Sequence, residues 1–352
     1  MLAKVLTLLA NGTKDNPITF TSLRDDTIGG DTNGDGANST ADRGNWGGIS
    51  VKAGSVANID QAIIRYGVPN IRVVNGHFLL TNSVIAFSNS EGIAIRATGI
   101  VFEPVIKNNT FMDNGGYAVT IHTGGGYLTG NRPIENNSGS DNGLNGIALK
   151  GEITGTLVLS VNPGLPYVID GTGSLTIPAG QTLQFAPSTV TKLIATTTIN
   201  VYGMLLALGE TNSLISFTSW KDDSVGGDTN GDGTNATPAG ADWNTIYIYS
   251  EGNARFEYAN IRYGGSSFPH SNIVVAVGGQ ISIINCNIEF SSGFGLYSAN
   301  HPPIVAVHNW WGSATGPHPY GAGNGINYFI GNPDDYNYFV DADPWLTEPI
   351  SP

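Results

Sequence analysis

Apolar and polar residues alternate along most of this chain in short runs, and Gly and Asn separate the runs. Three of these runs are EGIAIRA at 91–97, GGYAVTI at 115–121 and NGIALKG at 145–151. A period of two residues indicates β-strands, and the runs follow one another too closely to leave room for helices. The pattern therefore predicts an all-β protein.

Similar phrases also recur at a longer spacing. They begin at Asn82-Ser83, Asn109-Thr110 and Asn137-Ser138, which are 27 and 28 residues apart. Strands that return at this period favour a right-handed parallel β-helix, a solenoid with about three short strands per coil and roughly 4.8 Å between coils. The repeated Asn residues would form hydrogen-bonded ladders at the turns. A pair of β-sandwiches is the alternative fold.

A larger repeat relates the two halves of the chain at an offset of 197 residues. It matches ITFTSLRDD at 18–26 to ISFTSWKDD at 215–223, and Trp46 to Trp243. A duplicated unit of this size, with a long loop at the same place in each copy, predicts two units in one continuous solenoid. The predicted units are 1–160, with loop 24–46, and 161–352, with opening coils 164–219, loop 221–243 and a closing segment 309–349.

Composition narrows the possible partners. The chain has 48 Gly, 12% charged residues and a formal net charge of -13, without a Lys/Arg cluster. Nucleic acid and anionic membrane surfaces would be repelled, whereas cations and neutral partners remain possible. No apolar run approaches the roughly 18 residues of a membrane span, and MLAKVLTLLANGT at the start predicts a strand rather than a signal peptide. The single cysteine, Cys286, lies in an apolar run and is predicted to be a core thiol.

The first long loop contains DTNGDG, which places oxygen-bearing side chains at alternate positions and Gly at sharp turns. This spacing is typical of the first half of an EF-hand-type calcium loop. Carboxylate and amide oxygens suit calcium, whereas soft metals find no ligand here. The predicted ligands are Asp31, Asn33, Asp35, the Ala37 carbonyl, Ser39 at the ninth position and Asp42 at the twelfth.

The second loop repeats the first half of this pattern but has Ala236 and Ala239 at the ninth and twelfth positions. The coordination shell of the second loop must be completed by residues outside this pattern, so this loop is expected to bind calcium more weakly than the first. The alternative is a solvated acidic loop without metal. The predicted ligands are Asp228, Asn230, Asp232 and the Thr234 carbonyl, joined by Asp242 or by the doublet Asp222-Asp223; the matching doublet Asp25-Asp26 is available to the first loop.

The residues that could carry catalysis favour structural roles. The Asp doublets recur beside the metal phrase, and Arg65 and Arg262 recur in RYG turns. Duplication of an active site at identical positions is less expected than a guanidinium that caps carbonyls or stacks on Tyr66 or Tyr263. Serine nucleophile elbows and phosphate loops are missing from the sequence.

Three stretches resemble a known group of proteins. The segment from Gly164 to Ser219 is similar to the opening coils of secreted bacterial and archaeal right-handed parallel β-helix proteins of the pectate-lyase-like superfamily. NWWGSATGPHP at 309–319 and DADPWLTEP at 341–349 are similar to the phrases that close such helices. The resemblance implies a β-helix and an extracellular or cell-surface location. It does not specify an activity, because this superfamily contains lyases, hydrolases and adhesins.

The sequence favours a non-catalytic, calcium-stabilised module for surface display, adhesion or assembly. The alternative is a polysaccharide-active enzyme, a uronate lyase or glycosidase, that works in a groove on the helix face. The first copy starts in mid-coil when aligned with the second, so the chain is expected to be a piece of a longer protein. Self-association through this open N-terminal coil, and binding to carbohydrate or another cell-surface polymer, are further expectations.

Overall fold

The computed structural model describes residues 6–171, 174–299, 304–326, 328–330, 336–338 and 340–351. These residues form strands and turns and contain no helix, hence none that could cross a membrane. The prediction of an all-β protein is confirmed. The chain divides into two compact units. Unit 1 extends to Leu149 and includes Asn162–Pro166 and Gly226–Gly233; unit 2 comprises Lys150–Val161, Tyr167–Val225 and the residues from Thr234 onward.

Unit 1 is built from short strands that pair in parallel, usually with the strand three positions further along the chain. The strands are β1 (Leu6–Asn11), β2 (Ile18–Phe20), β3 (Ile49–Val51), β4 (Ser55–Asp60), β5 (Ala62–Arg65), β6 (Ile71–Val74), β7 (His77–Thr81), β8 (Val84–Ala86), β9 (Ile93–Ala97), β10 (Val101–Phe102), β11 (Val105–Lys107), β12 (Thr110–Met112), β13 (Tyr117–Asn131), β14 (Ile134–Glu135), β15 (Ser138–Ser140) and the first part of β16 (Leu144–Leu159). They form the parallel ladders β1-β4-β7-β11-β14, β2-β5-β8-β12-β15 and β3-β6-β9-β13.

Unit 2 repeats this pattern of pairing. Its strands are the second part of β16, β17 (Tyr167–Ile169), β18 (Leu175–Ile177), β19 (Thr182–Phe185), β20 (Val190–Leu193), β21 (Thr198–Val201), β22 (Met204–Leu208), β23 (Ile215–Ser219), β24 (Thr245–Ile248), β25 (Asn253–Glu257), β26 (Ala259–Arg262), β27 (Ser271–Val275), β28 (Gln280–Ile284), β29 (Asn287–Glu289), β30 (Phe294–Ser298), β31 (Ile304–Val305), β32 (Gly325–Ile326), β33 (Tyr328–Ile330), β34 (Tyr336–Tyr338) and β35 (Val340–Asp341). The ladders are β17-β20-β23-β26-β29, β18-β21-β24-β27-β30-β32 and β19-β22-β25-β28, all parallel.

The core of each unit consists of columns of aliphatic side chains in register. In unit 1, Ile59, Leu80, Ile106 and Ile134 occupy equivalent positions on successive strands, and each is 0% exposed. Each such side chain contributes about 1.5–3 kcal/mol through burial. In unit 2, one column is Ile199, Ile246, Ile273 and Leu296.

Asparagine ladders form at the turns, as the sequence predicts. The Nδ2 atom of Asn109 donates to Oδ1 of Asn137 at 2.9 Å, and Nδ2 of Asn137 donates to Oδ1 of Asn162 at 2.8 Å. The alignment of Asn82 with Asn109 is wrong by one residue, because Val84 is in register with Thr110. Asn82 instead corresponds to Asn108, and both adopt positive φ angles, 49° and 57°, that Asn tolerates better than most residues.

Two smaller predictions can also be checked. The predicted N-terminal strand is present as β1, although residues 1–5 lie outside the described part of the chain. Cys286 is fully buried, and burial raises the pKa of its thiol to about 12. The thiol is a packed core group, as predicted, and it does not ionise near neutral pH.

Candidate metal centre

The two acidic loops leave and re-enter the parallel ladders at equivalent places. The first connects β2 to β3, and the second connects β23 to β24. Each loop turns sharply at its glycines: Gly34 and Gly36 have φ angles of +72° and +71°. Glycine adopts this left-handed conformation without steric cost, so the DTNGDG sequence can fold its side chains back toward one point.

In the first loop this folding brings three carboxylates together. Asp26, Asp31 and Asp35 each place an oxygen within 4.8 Å of the others. Asp31 is oriented by the backbone, because its Oδ1 accepts from the Asp35 N–H at 3.1 Å and its Oδ2 accepts from the Gly36 N–H at 2.8 Å. We refer to Asp26, Asp31 and Asp35 as the first carboxylate cluster.

Two oxygens of the first carboxylate cluster are buried without a partner. Oδ1 of Asp26 and Oδ1 of Asp35 have no hydrogen-bond donor among the described residues. Burial and the negative charges of Asp31, Asp35 and Asp25 raise the pKa of the Asp26 carboxyl above its usual range. Buried acceptors in a crowd of like charges are a favourable environment for a cation.

Two of the other predicted ligands of the first loop lie beside the same cluster. The Asn33 Nδ2 donates to Oδ2 of Asp35 and to Oγ of Ser39, both at 3.0 Å, and the Ser39 hydroxyl donates to Asp35. The structure therefore brings together Asp31, Asn33, Asp35 and Ser39, as the spacing predicts, and adds Asp26 from the upstream doublet.

The second loop gathers the equivalent carboxylates. Asp223, Asp228 and Asp232, each 197 residues after its counterpart, also lie within 4.8 Å of one another by one oxygen each. We call them the second carboxylate cluster. The Asp228 carboxylate accepts from the N–H groups of Gly231 and Gly233, both at 2.8 Å, and the Asn230 Nδ2 donates to Asp232 at 2.9 Å.

Two other predicted ligands, Asp42 and Asp242, lie outside the two carboxylate clusters. Asp42 Oδ1 accepts from the Arg43 N–H at 2.7 Å, and Asp242 pairs with the Lys221 ammonium at 2.7 Å. Neither residue belongs to a group of three carboxylates in the described part of the chain. Ala37 and Thr234, predicted to offer their carbonyls, are exposed residues of their loops.

The first member of each Asp doublet has a different partner from the second. Arg65 Nη2 lies 2.5 Å from Oδ2 of Asp25, and Arg262 Nη2 lies 2.6 Å from Oδ2 of Asp222. Both carboxylates are almost completely buried, with side chains 1% and 2% exposed. Because Arg65 belongs to β5 and Arg262 to β26, each pair attaches the beginning of a loop to the neighbouring strand of its ladder.

These buried pairs are reinforced by hydroxyl groups. The Asp222 carboxylate accepts from the hydroxyls of Thr218 and Ser224, the latter at 2.6 Å. Although burial alone would raise its pKa, the hydrogen bonds from Ser224, Thr218 and Arg262, with the Arg262 charge, hold the Asp222 pKa below its usual range. The pKa of Asp25 is lowered in the same way by Thr21, Thr27 and Arg65.

The predicted stacking of arginine on tyrosine is also present. The guanidinium carbon of Arg65 lies 5.3 Å from the centre of the Tyr66 ring, and that of Arg262 lies 5.5 Å from the centre of the Tyr263 ring. These distances are within the range of cation–π contacts. Each of the two arginines therefore contacts both a buried aspartate and the adjacent tyrosine ring.

The tryptophans at the end of each loop anchor it to the following strands. The Trp46 indole Nε1 donates to the Arg65 carbonyl at 2.7 Å, and that of Trp243 donates to the Arg262 carbonyl at 2.9 Å. Trp243 is fully buried, whereas Trp46 is half-buried. Arg65 and Arg262 therefore hold both ends of their loops, with the guanidinium at the start and the carbonyl at the end.

The chemistry of the two clusters fits a hard cation. Their donors are carboxylate and amide oxygens, without a thiolate or imidazole among them. Calcium takes six to eight such oxygens, some of them from water, and tolerates irregular geometry. Comparisons with family models, curated proteins and solved structures found no match to this chain.

Proposed function

We propose that this chain is a non-catalytic, calcium-stabilised extracellular module for surface display, adhesion or assembly, with the fold of a right-handed parallel β-helix. The observation that carries the proposal is the duplicated loop. In both copies three carboxylates converge beside a buried Arg–Asp pair that attaches the loop to its ladder. A calcium ion bound there would offset most of the negative charge of the carboxylates and hold the long loop in one conformation.

The β-helix proposal is supported by the pairing of the strands. Three parallel ladders run through each unit, and each strand pairs with the strand that follows about three positions later in the chain. Aligned aliphatic columns and asparagine ladders accompany such stacking. Parallel strands connected by short turns, without crossover helices, fit a solenoid better than a β-sandwich.

The nature of the ion and the location are supported by the ligand type and by exposure. Asp31 and most of the turn around it are exposed, so the site is open to solvent. Such sites match the weak affinities, roughly 10⁻⁴–10⁻³ M, of calcium sites in extracellular modules. At a calcium concentration of about 10⁻³ M outside cells, sites with these affinities would be roughly half to nine-tenths occupied.

The absence of a catalytic role is supported by the way the repeated side chains are used. Asp25 and Asp222 are neutralised by arginines and are almost completely buried, so they cannot approach a substrate. The other carboxylates are grouped with one another around the turns. A uronate lyase would need an accessible Arg or Lys as base, and Arg65 and Arg262 are committed to their aspartates.

Assembly is supported by the surface of β1. Leu6 and Leu9 are 61% and 64% exposed, and β1 pairs only with β4 among the described strands. An exposed strand edge that carries leucines is a natural place for another strand to add. We propose that a strand from a second copy of this chain covers this edge.

The test is thermal unfolding of the chain in millimolar calcium and in chelator. We expect a higher melting temperature in calcium, since a ligand that binds only the folded state stabilises it. Equal melting temperatures would overturn the calcium part of the proposal. Release of unsaturated or reducing sugars from a panel of acidic and neutral glycans would instead favour the polysaccharide-active enzyme.

A further inference from the structure

A cleft of about 570 Å³ lies in unit 2, and none of its lining residues belongs to a carboxylate cluster. Phe290, Phe294 and Trp311 line it together with His318, Ala322, Asn324 and several glycines. Its volume is within the range of roughly 300–1,000 Å³ that is typical of small-molecule sites. We propose that this cleft binds a small neutral carbohydrate.

The lining excludes strongly charged ligands. None of the described residues that line the cleft is Lys, Arg, Asp or Glu. An anionic sugar would therefore find no Lys or Arg to balance its charge, and a cationic ligand would find no carboxylate among the described lining residues. A neutral ligand with both apolar and hydroxylated faces suits this surface best.

Aromatic rings supply the apolar side of the cleft. Phe290 is 50% exposed, and its ring is held in place by stacking on Tyr263, with 5.2 Å between ring centres and 10° between ring planes. Phe294 is half-buried and Trp311 is fully buried. The C–H faces of a sugar ring pack on aromatic rings, and rings fixed by the surrounding fold lose little conformational entropy on binding.

Polar atoms are available beside these rings. Asn324 is fixed through its amide nitrogen, which donates to the Ser291 hydroxyl at 2.7 Å. Its Oδ1 accepts no hydrogen bond from the described residues, so it can accept one from a sugar hydroxyl. The buried indole N–H of Trp311, a residue that lines the cleft, has no acceptor within the described part of the chain.

Unit 1 offers a matched control. Phe87 stacks on Tyr66 with 5.4 Å between ring centres and 17° between ring planes, much as Phe290 stacks on Tyr263. Phe87 does not line the cleft. Phe87→Ala therefore removes an equivalent aromatic stack without touching the proposed site. Ala322, an exposed residue of the cleft, allows the opposite change, since Ala322→Trp fills the space.

The experiment is isothermal titration calorimetry with glucose, galactose, N-acetylglucosamine and cellobiose, and with galacturonate and choline as charged probes. We expect saturable binding of at least one neutral sugar, weakened about tenfold or more by Phe290→Ala and by Ala322→Trp and unchanged by Phe87→Ala. Circular dichroism of each variant verifies that it is folded. Binding that survives Ala322→Trp, preference for a charged probe, or no binding by the folded wild-type chain would overturn the proposal.

This inference goes beyond the calcium-stabilised module and does not depend on it. The titrations are performed both in calcium and in chelator, at a temperature where circular dichroism shows the chain to be folded. Sugar binding in both buffers, with equal melting temperatures, would remove the calcium proposal and leave the cleft. A calcium-dependent melting temperature without sugar binding would remove the cleft proposal alone.

Discussion

Asp25 and Asp26 are adjacent in the chain, yet their carboxylates belong to different structures. The Asp25 carboxylate forms an ion pair with Arg65 at 2.5 Å. The Asp26 carboxylate lies with those of Asp31 and Asp35 in the first carboxylate cluster. The pKa of Asp25 is lowered, and that of Asp26 is raised. One aspartate therefore fixes the loop to its ladder, and its neighbour faces the proposed calcium ion.

The first prediction separates Asp26 from Asp42 as a calcium ligand. Asp26→Asn should weaken calcium binding by the first loop about tenfold or more, because it removes a carboxylate from the first carboxylate cluster. Asp42→Asn is the matched control and should have little effect, since Asp42 is not in the cluster. Calorimetric titration of both variants with calcium checks this. The opposite ranking would restore the EF-hand-type assignment of Asp42.

The second prediction concerns the buried ion pair of unit 2. Arg262→Ala leaves the Asp222 carboxylate, 2% exposed, without its cation and should cost about 3–5 kcal/mol in the free energy of unfolding. Arg255→Ala is the control, because the Arg255 side chain is 51% exposed in its pair with Glu257 and should cost less than about 1 kcal/mol. Urea unfolding measures both. Equal, small losses would show that the pair does not hold the loop.

The third prediction follows from the lowered pKa of Asp222. In the unfolded chain this carboxyl titrates near its ordinary pKa of about 3.9. The stabilisation that it gives is therefore complete above that value and is lost as the pH falls through the lower pKa of the folded state. Asp222→Asn should flatten the acid limb of a plot of unfolding free energy against pH. An unchanged acid limb would contradict this assignment.

The fourth prediction concerns a stack of tyrosines on unit 2. The rings of Tyr202 and Tyr249 lie 4.0 Å apart, centre to centre. Burial, with a hydrogen bond and the proximity of Tyr202, raises the pKa of Tyr249 to about 12. Tyr202→Phe should lower the Tyr249 pKa toward its ordinary value. Ultraviolet titration of tyrosine ionisation, compared between the wild-type chain and this variant, would refute the prediction if the two curves coincide.

Much of the fold follows from the sequence because its signals are local and repeated. Alternating runs and Asn at fixed spacing predict parallel stacking and the ladders, and the burial of Cys286, which lies between β28 and β29, follows from its apolar neighbours. The one-residue error at Asn82 arose because Asn is used at two adjacent positions, the left-handed turn and the buried ladder. Sequence alone does not distinguish these two uses of the same residue type.

The ligand set was predicted less completely. A twelve-residue calcium template looks only downstream of Asp31, and so it gives Asp42 a fixed ligand position and offers the doublet Asp25-Asp26 only as an additional source of ligands. Comparison of the copies contains the better signal: Asp26 corresponds to Asp223, whereas Asp42 corresponds to Ala239. The second loop lacks ligands at its ninth and twelfth positions, yet both clusters contain three carboxylates. The weaker binding of calcium by the second loop therefore stays a prediction.

The central claim is that each carboxylate cluster binds one calcium ion, and the most direct measurement is the number of ions bound per chain. Equilibrium dialysis against calcium should give two ions for the wild-type chain and one for Asp26→Asn. The double variant, Asp26→Asn with Asp223→Asn, should bind none in the same concentration range while it keeps its β-sheet circular dichroism. A folded wild-type chain that binds no calcium, or a double variant that still binds two ions, would contradict the account.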